Sequence, residues 1–247
     1  MGTAARVIGP GRTGRSLTAA LRLRGWAVDL ADRHAPAAAA ADGVDLLVLA
    51  VPDDAIAAVA AAVEPVPATV VAHLSGSRGL DALAPHPRRA SLHPLVSLPD
   101  VDTGTARLLE RCTFAVAGDP LARQVVEVLG GRAIEVADDR RAVYHATAAV
   151  AANHLVALLA QVERLAAAAG VPVDAYWPLV RTTVDNVARL GATAALTGPA
   201  ARGDDRTVRA HLDALPPGEE ALYRALATEA ARLAGRTLTP RPEERVS

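Results

Sequence analysis

Three groups of residues in this sequence have the types and spacing to do chemistry. The first is a glycine triplet: Gly9, Gly11 and Gly14 in "VIGPGRTG" form G-x-G-x-x-G directly behind an apolar segment and ahead of a helical one. The first glycine makes a tight turn, the second lets backbone approach a diphosphate, and the third lets helix and strand pack closely. Gly9, Pro10, Gly11, Arg12, Thr13 and Gly14 therefore read as a dinucleotide cradle. Val51 and Pro52 in "AVPDDAI" end a later apolar run where the chain would pass the nicotinamide-side ribose, and Asp53 beside them reads equally well as a plain helix N-cap. Cofactor identity stays divided. Asp32 is placed for a ribose 2'-hydroxyl, whereas Arg33 and Arg12 are placed for a 2'-phosphate, with NADP slightly ahead of NAD.

The second group is set by an absence. All 26 basic residues are Arg, and a guanidinium holds an anion well but donates protons poorly. Proton transfer falls to His, Asp, Glu, Tyr or water. Of the seven histidines, His34 and His86 read as surface loop residues and His154 as a residue packing or solvating a helix. His73 sits at the carboxyl end of a predicted strand with Ser75 and Gly76 just beyond, where ligands bind in open α/β sheets. His93, held extended by Pro94, is a candidate for lining the same site. His145, Ala149 and Asn153 are spaced four apart and share a helix face; a buried Asn there must be hydrogen-bonded, to another helix or to a substrate. Asn186 in "TTVDNVARLG" is similar. The third group is the polar, helix-breaking turn "TGPAARGDD" inside an alanine-rich helical half.

Positioning such groups needs a frame, and the hydrophobic pattern supplies an α/β one. Predicted strands at 5–9, 27–31, 44–52, 68–76, 112–118 and 132–137 alternate with helical segments, as in a doubly wound parallel sheet. Residues 84–95 read as a Pro-rich loop. From Asp138 the pattern turns helical, with one long apolar helix over 139–170 and three more behind it. The organisation expected is a Rossmann-like dinucleotide-binding domain over 1–137, a helical substrate-binding and dimerisation domain over 138–240, and a frayed tail over 241–247.

Composition narrows the partners. A net charge of -1 over 247 residues gives no electrostatic case for nucleic acid or an anionic membrane. One cysteine, Cys112, excludes an internal disulfide framework and suits a reducing compartment. No uninterrupted apolar stretch reaches the ~18 residues of a membrane span, and no metal is called for. The expectation is a cytoplasmic protein that binds a small molecule and forms a homodimer through its apolar long helix.

The motifs "GPGRTG", "AVPDDAI", "HLSGSRGLDAL", "SLHPLVSL", "YHATAAVAANHLVAL" and "LTGPAARGD", in that order, resemble the short dehydrogenase-like family that pairs a Rossmann-like domain with domain-of-unknown-function family 2520. That family lies in the superfamily sharing a 6-phosphogluconate-dehydrogenase-like helical C-terminal domain, with ketopantoate reductase, pyrroline-5-carboxylate reductase, β-hydroxyacid dehydrogenases and prephenate dehydrogenase as relatives. The resemblance, which covers nearly all of the chain, implies hydride transfer between NADP or NAD and a small 2-oxo or imino carboxylic acid, ketopantoate-like compounds being favoured. Several relatives place a catalytic Lys four residues before an Asn. Here Asn153 matches the Asn but Ala149 stands at the Lys position, so that mechanism is not available. Similarity to prephenate dehydrogenases implies instead Ser75 with His93 and Pro94, the proton coming from His93 or His145. The resemblance also implies that Thr197, Gly198, Arg202 and Asp204 contact substrate, Arg202 and Asn153 holding its carboxylate. A non-catalytic NAD(P)-binding regulator and a reductase using a deazaflavin are the rival readings.

Overall fold

The computed structural model describes residues 3–32 and 38–238. Seven strands form one sheet: β1 Ala4–Ile8, β2 Ala27–Ala31, β3 Leu46–Leu49, β4 Val70–His73, β5 Arg89–Pro94, β6 Thr113–Gly118 and β7 Arg132–Glu135. Their order is β2-β1-β3-β4-β5-β6-β7. Pairing is parallel from β2 through β5, β6 runs antiparallel to β5, and β7 is parallel to β6. The helices crossing between strands are α1 Arg12–Leu23, α2 Ile56–Ala62, α3 Val101–Leu109 and α4 Leu121–Leu129.

Strand β3, "LLVL", shows why these runs form a central sheet: all four of its residues are buried. Successive side chains of a strand point to opposite faces, and both faces here are covered. Leu46 and Val48 join Leu17 and Leu21 of α1, Leu108 of α3, and Val125 and Leu129 of α4 in one cluster. Leu47 and Leu49 join Ile56 and Ala60 of α2 in the other. A strand apolar on both faces is what a parallel sheet with helices on each side requires.

The structure corrects the sequence reading at the Pro-rich segment. Residues 89–94 are not loop but the strand β5, inserted between β4 and β6. Two prolines, Pro85 and Pro87, precede it and Pro94 closes it, so the breakers mark its borders rather than its interior. His86 is corrected with it: it is buried, not a surface residue, with Nε2 2.9 Å from the Ala60 carbonyl of α2. The helix α3 also escaped the pattern; Asp100 caps it by accepting from the Thr103 backbone N–H at 2.8 Å.

The chain divides into two compact units, Met1–Asn153 and His154–Ser247. The first runs past the sheet because helix α5, Arg141–Ala149, lies along β5. Buried Arg141 donates to Ser91 Oγ, and Tyr144 meets His93. The segment read as one long helix is a composite in which a π-helical turn, Val150–His154, follows α5 and the α-helix Leu155–Ala168 (α6) comes next. By length and composition the run Asp138–Ala168, which holds an 18-residue window of mean hydropathy 1.4, is apolar enough to cross a membrane.

Among the described residues the second unit's elements are all helices: α6, α7 Trp177–Leu190, α8 Ala192–Ala195, α9 Pro199–Arg202, α10 Asp205–Ala214 and α11 Glu220–Leu233. Val208, Leu212 and Ala227 make its small core. Buried Gln161 of α6 donates to both the backbone and the carboxylate of Glu219 at 3.0 Å.

Candidate functional site

The strand register brings the ends of β1, β3, β4 and β5 to one rim, since Ile8 pairs with Leu49, Leu49 with His73 and His73 with Ser91. The glycine turn lies at that rim, between β1 and α1. Gly9 has φ +110° and its missing side chain leaves room for the Ala50 carbonyl, which a Cβ would meet at 2.3 Å. A Cβ on Gly14 would stand 2.1 Å from the Gly9 carbonyl, whereas one on Gly11 would meet nothing within 4 Å. The turn is thus tight on its inner side and open at Gly11. Helix α1 has no side-chain cap and no acidic residue in its first turn, so its leading N–H groups and positive dipole end suit an anionic diphosphate. These residues fit a dinucleotide. Arg12 donates to the Pro99 carbonyl at 3.2 Å and Arg15 to that of Pro10 at 2.8 Å. Thr13 stands in the first turn of α1, Val51 and Pro52 lie just past β3, and Asp32 follows β2 directly. Arg33 and His34 lie outside the described residues.

At the same rim two loops, a strand and a helix bring polar groups together. Asp53 does not cap α2, whose N-cap position is Ala55 without a side-chain bond. Its Oδ2 accepts instead from Ser75 Oγ at 2.6 Å and Ser77 Oγ at 2.7 Å. Ser75 Oγ in turn accepts from the backbone N–H groups of Ser77 and Arg78, both at 3.1 Å. The Ser75 hydroxyl is therefore saturated within its turn, which makes it a positioning group for Asp53 rather than the reacting group that sequence resemblance implied. Burial alone would raise the Asp53 carboxyl, but the two serine bonds and the positive charges of His145 and Arg78 hold it below the usual carboxylate range.

Gly76 lies between Asp53's two serines and packs against the imidazoles. A Cβ there would come within 2.7 Å of His145 Nδ1, 2.9 Å of His93 Cε1 and 3.0 Å of His93 Nε2. The two rings stand edge to face at 6.0 Å between centroids. Tyr144, one residue before His145 on α5, has Oη 2.6 Å from His93 Nδ1. Burial, then the neighbouring His145, pushes the His93 imidazolium down to about 4, while burial raises the Tyr144 phenol. At neutral pH the phenol is the donor and the ring a neutral acceptor at Nδ1, which leaves the imidazole proton on Nε2.

A second layer supports this one. His73 is fully buried, with Nε2 3.2 Å from the Gly79 carbonyl and Nδ1 without a partner. It underlies the turn instead of facing a ligand, which corrects its assignment as a substrate contact. Burial lowers its imidazolium, so it stays neutral. Arg141 donates to Asp138 at 2.7 Å and to Ser91, and Asp138 accepts from the Leu80 N–H at 3.3 Å. These contacts pin α5 to β5 at the level that sets Tyr144 against His93.

The structure therefore brings together Ser75, Gly76, His93 and His145, which sequence singled out, gives Asp53 a place there where sequence left it between a ribose-side turn and a helix cap, and adds Ser77, Tyr144 and Arg141. Asp53 and the serines are neighbours only because β3 and β4 end side by side; Tyr144 could have been found as the residue adjoining His145. Asn153 is exposed, so the premise of a buried Asn fails. Asn186 is exposed too, on α7, accepting from Arg189 at 3.2 Å. In the second unit Gly198 and Gly203 bracket α9, and Asp204 caps α10 through the N–H and hydroxyl of Thr207. Asp204 is thus a structural cap; Thr197 and Arg202 are exposed on the same turn. Among the described residues no group of three His, Cys, Asp or Glu is placed to hold a metal ion.

Residues 112–230 match the family described as Domain of unknown function (DUF2520). No curated protein matches the chain. Solved structures do. A Bacteroides fragilis protein provisionally described as an NADP oxidoreductase is 18% identical, with a TM-score of 0.76 over 94% of this chain and 98% of that one. A Streptomyces aurantiacus imine reductase is 18% identical, TM-score 0.67, over 93% and 94%. An Aspergillus terreus reductive aminase, solved with NADPH and ethyl levulinate, is 15% identical, TM-score 0.70, over 97% of both chains. At these identities the likeness is one of fold. The sheet with its glycine turn and the helical second unit make a Rossmann-type frame like that of these structures, and residues 112–230 of the chain are similar to the DUF2520 family.

Proposed function

We propose that the protein is a nicotinamide-dependent reductase, using NADPH in preference to NADH, of a small 2-oxo or imino carboxylic acid. One observation carries the reading: the glycine turn and the Asp53, His93, Tyr144 and His145 cluster lie at the same carboxyl rim of one sheet, where α/β proteins act on their ligands. The fold shared with an imine reductase and a reductive aminase solved with NADPH supports it. A bound nicotinamide supplies a hydride. The chain's own part is to hold the diphosphate at Gly9 to Gly14, to offer His93 Nε2–H as a neutral hydrogen-bond donor steadied by Tyr144, and to keep His145 at the exposed edge of the cluster for proton exchange with solvent.

The test is oxidation of NADPH and NADH by purified protein against a panel of 2-oxo and imino acids, ketopantoate included, beside direct cofactor titration. Turnover that falls about 100-fold in His93→Ala would support the reading. Tight cofactor binding without turnover of any panel member would replace it with that of a non-catalytic NAD(P)-binding regulator. We also propose that the helical unit pairs with a second copy. α7 buries none of its residues, and Leu179, Val184, Val187 and Leu190 along it are all exposed, an apolar face of the kind oligomers cover. A monomer by light scattering at micromolar concentration would overturn that.

A further inference from the structure

The electrostatics of the cluster bear on what it binds. Asp53 is fixed by two serine hydroxyls on one oxygen, a geometry that holds the ionised form. The turn carrying those serines also carries Gly76, which packs against both imidazoles. Asp53 interacts with the charge state of each ring. The other charged groups near the rings face them from α5 and the turn. Arg141 is buried and paired with Asp138, and Arg78 is exposed on the turn, where solvent screens it. His73 below is neutral. Asp53 is thus a fixed carboxylate beside the rings whose cationic neighbours, His145 and Arg78, are both exposed to solvent.

Carbonyl and iminium reduction make opposite demands on such a place. Hydride addition to a ketone moves the C=O pair onto oxygen, and the alkoxide must take a proton; a carboxylate alongside opposes that build-up. Hydride addition to an iminium forms the C–H bond and moves the C=N pair onto nitrogen as a lone pair, giving a neutral amine with no proton demanded from the protein. Neither His93, neutral and hydrogen-bonded to a phenol, nor Tyr144, whose proton is committed to His93, is suited to give a proton up at neutral pH.

We propose that the site takes a cationic substrate, a protonated imine of a small cyclic or condensed amine, and that Asp53 is its counter-ion, placed by Ser75 and Ser77. The inference rests on the reductase reading, keeps its imino class over its 2-oxo class, and does not require a carboxylate on the substrate. Asp53 acts by keeping the imine protonated when bound. Its effect therefore falls on KM and on the pH dependence more than on kcat, because charge is discharged as hydride arrives.

Two measurements test this, one without cofactor. In the first, ring-proton NMR signals of His93 and His145 in the purified protein are titrated with pyrrolidine hydrochloride and with tetrahydrofuran, rings of like shape that differ in charge. The cation is expected to bind at least about 10-fold more tightly, and Asp53→Asn, whose amide carbonyl can still accept the serine hydrogens, should erase the difference. Equal binding of the two rings, or a preference that survives Asp53→Asn, overturns the proposal. In the second, kcat/KM with NADPH is followed against pH for 2-methyl-1-pyrroline and for cyclopentanone. The imine should be the substrate. Asp53→Asn should lower its kcat/KM about 30-fold and move the alkaline fall of the profile down by about one pH unit, while Asp53→Glu restores part of both. Reduction of the ketone but not the imine overturns the substrate class and leaves the reductase standing. Charge-selective binding through Asp53 with no turnover of either removes the reductase and leaves the ligand class standing. Asp53→Asn that spares the imine but weakens oxidised cofactor assigns the carboxylate to the cofactor and overturns the proposal.

Discussion

The rim of the sheet and helix α7 use the same chain in opposite ways. At the rim, polar side chains are gathered inward and bonded to one another, Asp53 with two serines, Ser75 with two backbone amides, Arg141 with Asp138 and Ser91, while His73 Nδ1 and Arg141 Nη1 beneath them find no partner. Along α7, apolar side chains point outward, and Leu179 is 63% exposed. The first arrangement is built within one chain, because a buried polar group needs a partner close by. The second is incomplete within one chain, because apolar area is stabilised only when something covers it.

The largest effect that would sharpen this contrast is in the sheet. Phe114 is fully buried in β6, and Phe114→Ala should remove about 3–5 kcal/mol in urea unfolding. A loss below about 1 kcal/mol would mean that the core around it is loosely packed. Next comes Arg141→Met, which strips Ser91 and half-exposed Asp138 of their partner and should cost about 2–4 kcal/mol. Retained stability with undiminished activity would show that α5 is placed without the guanidinium. Gly76→Ala should leave the fold intact but push both imidazoles aside, lowering kcat/KM about 100-fold; wild-type turnover would show that the rings can yield freely.

Acid should loosen the rim before the helices. The folded His93 pKa of about 4 lies below its ordinary 6.5, so between those values the unfolded chain binds more protons than the folded one. Stability then falls as pH drops from 6.5 to 4, by about 2 kcal/mol from this residue, and is fully present above that window. His93→Asn should flatten the corresponding part of a stability-against-pH curve. The smallest intrinsic effect belongs to α7. Leu179→Arg should change the unfolding of the lone chain by less than about 0.5 kcal/mol, yet split the proposed dimer in light scattering. A large loss of stability without a change in mass would place Leu179 in a core instead.

Much of this was legible in the residues. The runs "LLVL" in β3 and "VVAH" in β4 are buried without alternation, and only a strand covered on both faces tolerates that. The glycine turn was legible because backbone geometry allows few other residues there. β5 was not, since "RASLHP" owes its burial to partners far along the chain, with Arg141 reaching Ser91 and Tyr144 reaching His93. Asp53 was ambiguous for the same reason. A Pro-Asp pair ahead of a helix reads as a cap, and only the side-by-side ends of β3 and β4 reveal that two serines claim it first.

The reversal of β6 against β5 decides the route by which the chain comes back to these residues. Because β6 and β7 run opposite to the rest, the polypeptide leaves β7 at the edge of the sheet heading away from the rim, its last residue, Glu135, level with Val116 and Leu92. From there the chain turns back beside β5 toward the rim: Asp138, ahead of α5, meets the Leu80 turn, and within α5 Arg141 meets Ser91 and Tyr144 meets His93. Had β6 kept the common direction, the helix would have begun at the rim and led away from it, carrying Tyr144 and His145 with it. A single change of strand polarity is thus the topological condition for the third wall of the site.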